Sequence, residues 1–167
     1  CPTTKVAPWY VPWWSTFFYE ATSEEYSLSI PHDVEGLIQM LGGQERFISR
    51  LDSVFSEGLY WHGNEPCHQM AYLFDYAGEP WRTQRWVRHI LRTEYNDTPG
   101  GLSGNDDAGQ MSAWYVFSCL GFYPVCPVSG EYAVGSPVFP RVEIPLENGK
   151  TFRIIAHNAS EENIYIQ

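Results

Sequence analysis

Apolar residues recur at helical spacing from about residue 20 to about residue 121. Ser23 can cap a short helix over EEYSLSI that Pro31 ends. In DVEGLIQMLGG, Val34, Leu37, Ile38 and Leu41 share one face, and Gly42-Gly43 stops the run. QERFISRLDSVFSEG puts Phe47, Ile48, Leu51 and Phe55 on one side, with Gly58 as terminator. GNEPCHQMAYLFDYAGEP predicts a helix with Asn64 as cap candidate, Pro66 in its first turn and its end at Gly78. EPWRTQRWVRHILRTEYN starts at Pro80 and carries a Trp86, Val87, Ile90, Leu91 stripe. Asp106 or Asp107 can cap AGQMSAWYVFSCLG, which Gly121 and Pro124 stop.

Helix, glycine turn, helix, repeated, describes αα-hairpins, each of which hides one face only against neighbours. Five or six such helices leave open ends, so the expected fold is part of a larger α/α toroid. After residue 129 the texture changes. EYAVGSPVF, RVEIPL, TFRIIAH and ENIYIQ are short, β-branched and aromatic, and ENGK between two of them predicts a type I′ hairpin turn. The expected division is therefore a helical region over 1–128 and a β-strand segment over 129–167, both parts of something longer.

The 167 residues are 44% hydrophobic and 18% charged, with no stretch apolar enough to span a membrane. The opening CPTTKVAPWYVPWW has no basic stretch leading into an apolar one, so it is not a signal peptide. A net charge of −10 argues against nucleic acid or an anionic membrane as partner and suits a neutral ligand or a metal cation. Aromatic residues make up 16%, with seven Trp, and any exposed share suits stacking on sugar rings. Four cysteines form no C-x-x-C, so a zinc or redox pair is not indicated. Cys119 and Cys126 could pair across a turn or be small buried thiols.

Three polar clusters each lead into a helix: YEATSEEYS, WHGNEPCH and GNDDAGQ. In a toroid such loops meet at one mouth. Each also has an ordinary explanation, because acidic residues favour helix N-termini by about 0.3–1 kcal/mol. Glu24 and Glu25 fit that explanation; for Asp106 and Asp107, capping and catalysis both fit. His62 and His68 suit packing or sugar contact better than zinc, since two further ligands are not evident. Two opposed carboxylates are what glycoside hydrolysis needs, and carboxylates with carbonyls also suit calcium.

YEATSEEYSLSIPHDVEGLIQMLGG, GNEPCHQMAYLFDYAGEPWRTQRWVRHIL, GLSGNDDAGQMSAWYVFSCLGFYPVCPVSGEYAVGSPVF and NIYIQ together resemble glycoside hydrolase family 92, a family of calcium-dependent, inverting exo-α-mannosidases. The resemblance runs from about residue 17 to the last residue and covers only the last third or so of the family's catalytic region. It implies an (α/α)6 toroid completed by a missing N-terminal part of the same protein, and a secreted, periplasmic or cell-surface location. By position it implies Glu20 as general acid and Asp107 as the base that activates water. It puts Asn105, Asp106, His62 and Trp61 at the substrate and Asn64 and Glu65 at calcium. Asn105 stands where many members have a second Asp, which removes one charge. Members that cut α-1,2 links have a His-Glu pair in an insertion where this chain has only SEGLYW. The leaving-sugar subsite must therefore differ, and other mannosidic links or a mannose-phosphate diester stay open. A sugar-binding or scaffolding piece without catalysis is the alternative, and an α/α-toroid hydrolase of another sugar is the third.

Overall fold

The structure is a computed structural model that describes residues 18–166. Helix α1 (Ser23–Leu28) is capped by Thr22, one residue earlier than expected. Thr22 Oγ1 accepts from the Glu25 N–H at 3.2 Å, and the Glu25 carboxylate accepts from the Thr22 N–H, which closes a capping box. Asp33 caps α2 (Val34–Met40) by accepting from the Gly36 N–H at 2.9 Å. Gly42 and Gly43, at φ 96° and 98°, then turn the chain as only glycine does freely. That turn leads into α3 (Gln44–Ser56).

The single helix expected from Asn64 to Gly78 is instead two 3₁₀ turns, Glu65–Cys67 and Met70–Tyr72, followed by a short α4 (Leu73–Tyr76). Pro66 contributes no N–H, and two polar side chains pull local carbonyls out of the helical ladder. His68 Nε2 donates to His62 O at 2.9 Å, and Gln69 Nε2 donates to Pro66 O at 2.8 Å. Helix α5 (Pro80–Thr93) starts at Pro80 as expected, whereas α6 (Gln110–Leu120) starts after Gly109 and not directly after Asp106 or Asp107, because Asp107 and Ala108 have positive φ.

The core lies where α1 to α6 face one another. Trp114, Tyr72, Phe47, Phe74, Leu51 and Ile90 are all buried there, each apolar side chain stabilising the fold by about 1.5–3 kcal/mol relative to exposure.

The β-rich part is smaller than expected. Strand β1 (Phe122–Tyr123) pairs antiparallel with β2 (Ala133–Val134), and β3 (Arg141–Pro145) with β4 (Thr151–Ile155). The β3–β4 turn is not type I′, because Gly149 has φ 78° but Asn148 does not have a positive φ. The Gly149 N–H bonds Leu146 O at 3.0 Å and the Leu146 N–H bonds Lys150 O at 2.8 Å, a three-residue loop with its left-handed position at glycine. ENIYIQ forms no strand among the described residues. Its backbone is held by side chains: Ser136 Oγ donates to Ile164 O at 2.6 Å, and the Ile166 N–H donates to Gln84 Oε1 at 3.0 Å. Arg88 reaches from α5 to Pro137 O at 3.4 Å and to Ser160 O, tying this segment to the helices. Cys67, Cys119 and Cys126 are free thiols, so Cys119 and Cys126 do not pair. No described helix is long and apolar enough to cross a membrane.

Candidate active site

Three loops that precede helical segments come together: residues 19–22, 61–65 and 103–107. Asn64 links the first two. Its Nδ2 donates to Glu20 O at 3.0 Å and to Glu25 Oε1 at 3.0 Å. Both partners only accept, so the amide orientation is fixed and Oδ1 turns away from them. No described residue donates to Asn64 Oδ1. Asn64 is therefore a brace between loops and not the side-chain cap expected of it. Glycine contact joins the second and third loops. A Cβ on Gly104 would sit 2.5 Å from the Gly63 Cα and carbonyl oxygen, so the two backbones touch. Trp61 Nε1 donates to Ser103 O at 3.3 Å across the same seam.

Glu20 is exposed, with φ 54°, a left-handed conformation that costs an ordinary residue about 1–2 kcal/mol. The Asn64 amide holds the following peptide. Asp107 is exposed as well, at φ 45°, and Ala108 follows at φ 57°. Partial loss of hydration, then the adjoining Glu65 carboxylate and Asp106, push the Asp107 carboxyl above its ordinary range, with His68 opposing. Glu65 and Asp107 thus stand together at the mouth, beside the exposed Asn105 and the 39% exposed Trp61 ring.

Two residues expected at the sugar have their polar atoms engaged within the protein. Both Asp106 carboxylate oxygens are taken by Ser112, Oδ1 by its N–H at 2.9 Å and Oδ2 by its hydroxyl at 3.0 Å. Asp106 therefore supports the first turn of α6, and that leaves Asp107 uncommitted to the cap. His62 is fully buried, with Nδ1 2.6 Å from the Tyr60 hydroxyl and Nε2 2.6 Å from the Tyr95 hydroxyl. Neither nitrogen can reach a sugar. Burial, then His68, lowers its pKa to about 3, so the ring is neutral.

Sequence reasoning undervalued Glu25. Beyond its capping box, its Oε1 accepts from both Asn64 Nδ2 and Cys67 Sγ, the latter at 3.3 Å. The acidic residue of a capping box is visible in sequence; its distant partners are not. Glu24 is buried against Arg50, with hydrogen bonds at 2.8 and 3.0 Å, and burial outweighs Arg50 in raising its pKa.

Asn64 Oδ1 and the exposed Glu65 carboxylate are hard oxygen donors of the kind calcium takes. Among the described residues no group of three His, Cys, Asp or Glu side chains could hold a metal. Calcium takes about 6–8 oxygens, so these two residues fit it chemically as part of a set completed by sugar, water or other chain.

These loops are carried by a mainly helical body with a small strand segment. Comparison fixes the family: residues 4–167 match the glycosyl hydrolase family 92 catalytic domain, and the chain belongs to that family. A family 92 α-mannosidase from Bacteroides thetaiotaomicron, solved with mannoimidazole, is 44% identical with a TM-score of 0.83, over 89% of this chain and 22% of that one. A family 92 inverting mannosidase from Bacteroides thetaiotaomicron VPI-5482 is 40% identical with a TM-score of 0.81, over 89% of this chain and 24% of that one. An uncharacterised secreted glycosidase of Arthroderma benhamiae is 35% identical over 89% of this chain and 20% of its own length. The chain thus spans about a fifth to a quarter of the proteins it matches.

Proposed function

We propose that this chain contributes part of the cleft of an inverting exo-α-mannosidase. The observation that carries the reading is the meeting of three loops, in which Asn64 braces Glu20 and Gly104 abuts Gly63 to bring Asp107 beside Glu65. Helices over 1–128 supply a segment of an (α/α)6 toroid and 129–167 its β-rich flank, with the remaining wall from the N-terminal part of the same protein. The family relationship and a relative described as secreted support export to the outside of the cell.

Inversion takes one displacement with an acid and a base on opposite faces of the sugar. Glu20, which is exposed, carries the proton for the leaving oxygen. Asp107 takes the proton of the attacking water. Asn105 supports Asp107, and Trp61 offers a ring face for stacking on the sugar. Asn64 and Glu65 would hold calcium, which supplies a grip on sugar hydroxyls and a charge that favours a flattened ring.

Full-length Asp107→Asn keeps the fold and loses turnover by about 10²–10⁴-fold on every mannoside. Glu20→Gln loses as much on a mannobioside but far less on an aryl mannoside whose leaving group needs no proton. Proton NMR of the first product should show β-mannose from the α-linked substrate. Unchanged turnover in Asp107→Asn, or an α-mannose product, removes the reading.

A further inference from the structure

His62 and its two tyrosines have no part in that mechanism, yet they lie under it. Proton counting fixes the string's direction. Met111 O can only accept, so the Tyr95 hydroxyl donates to it, at 3.0 Å. The Tyr95 oxygen must then accept from His62 Nε2–H, and Nδ1 of the neutral ring accepts from Tyr60. The string runs from Tyr60, after α3, through the loop of Asn64 and Glu65, past Tyr95 at the end of α5, into the first turn of α6. Trp114 backs it: its ring is stacked on Tyr95 at 6.0 Å and edge-on to His62 at 4.4 Å.

The anchored residue matters. The Met111 N–H bonds Asp106 O at 3.3 Å, and the Gln110 N–H bonds Asp107 O at 3.1 Å. Between them and the loop stand Asp107 and Ala108, two consecutive non-glycine residues in the left-handed region. Such a turn persists only where its surroundings over-determine it. Tyr95 grips the carbonyl just beyond that turn.

We propose that Tyr95 is a positioning residue for Asp107: the Tyr60–His62–Tyr95–Met111 string holds the strained 106–108 turn at a fixed distance from Asn64 and Glu65. The inference rests on reading the cleft as a mannosidase site.

Tyr95→Phe in the full-length protein tests it. Its kcat on a mannobioside should fall by about tenfold or more, with KM within about threefold, because a displacement of an ångström is enough for such losses. Mannosyl fluoride should fall by the same factor, since fluoride leaves without an acid while water still needs the base. Tyr72→Phe is the control. It loses one buried hydroxyl contact of the same aromatic block, to Ser118 at 2.8 Å, and should lower Tm similarly while keeping kcat. A Tyr95→Phe kcat within about twofold of wild type, a fall no larger than that of Tyr72→Phe, or mannosyl fluoride spared while the disaccharide suffers, each overturns the proposal. Should Tyr95→Phe not fold, Tyr60→Phe removes only the outermost donor; a kcat loss of about threefold supports the string and no loss overturns it. If the wild-type protein cleaves no mannoside, the mannosidase reading has failed. Crystals of Tyr95→Phe then decide the inference: a shifted 106–108 turn upholds it, and an unmoved turn overturns it.

Discussion

Adjacent glutamates on α1 illustrate how little a residue's type says about its work. Glu25 is satisfied by uncharged donors from three places in the chain, whereas Glu24 is paired with the charged Arg50. Burial raises the Glu24 pKa despite Arg50, so the pair's attraction does not repay its dehydration. Arg50→Leu is therefore expected to cost about 2–4 kcal/mol in urea unfolding, and Glu24→Leu/Arg50→Leu together clearly less. An equal or larger cost in the double variant would refute this account. Asp75 makes the same point through pH. Burial raises its carboxyl to about 6, from 3.8. A folded-state pKa above the unfolded one destabilises the fold as pH rises through that window, fully above about 6 and not at all below about 3.8. Asp75→Asn should thus raise Tm more at about pH 7 than at about pH 4, by up to about 2 kcal/mol of stability. Equal gains at both pH values would contradict it.

At the scale of elements, the site depends on two backbones touching. Gly104→Ala would drive a methyl into the Gly63 backbone at 2.5 Å, where no flexible side chain can yield. The expected result is a loss of about 2–3 kcal/mol and of most activity, against Gly43→Ala, where nothing lies within 4 Å and only its φ of 98° is strained. Differential scanning calorimetry and turnover on the two variants check the difference. These elements were unequally legible. Helices α2, α3 and α5 follow their apolar period, and α2 and α3 their glycine stops, because one face of each is core. The segment from Asn64 to Tyr76 has helical residues but folds largely as 3₁₀ turns, because Pro66 lacks an N–H and His68 and Gln69 bond the nearby carbonyls of His62 and Pro66. Glu20, Asn64, Glu65 and Asp107 were visible as polar loop residues, and the structure brings their loops together. His62 and Asp106 carried the same signal. Their polar atoms are engaged by Tyr60 and the distant Tyr95 for His62, and by a serine six residues on for Asp106, pairings that the local pattern does not encode.

At the scale of the whole molecule, the β-rich part keeps an apolar face among the described residues. A groove of about 1170 Å³ runs between β1, the β3–β4 hairpin and the segment after it, lined by Phe122, Tyr132, Val134, Leu146, Phe152 and Ile155. Several of these remain half exposed: Tyr132 at 58%, Val134 at 55%, Phe152 at 48% and Ile155 at 58%. A two-stranded ribbon is marginal in water by itself and gains stability when a third layer covers it. The chain spans only about a fifth of the length of the relatives it matches. Phe152→Asp in the full-length protein discriminates. On a face that stays in water, the change should alter stability by no more than about 0.5 kcal/mol. On a covered face, it buries an unpaired charge and removes an aromatic anchor from Phe122, whose ring it meets edge-on at 6.1 Å. The expected cost is then about 3 kcal/mol or more, read as a lowered unfolding midpoint, and Phe152→Leu should recover most of it. A neutral Phe152→Asp would mean that the groove stays open to solvent in the full-length protein, and the β-rich segment would then be held to α5 through Gln84, Arg88 and Arg92.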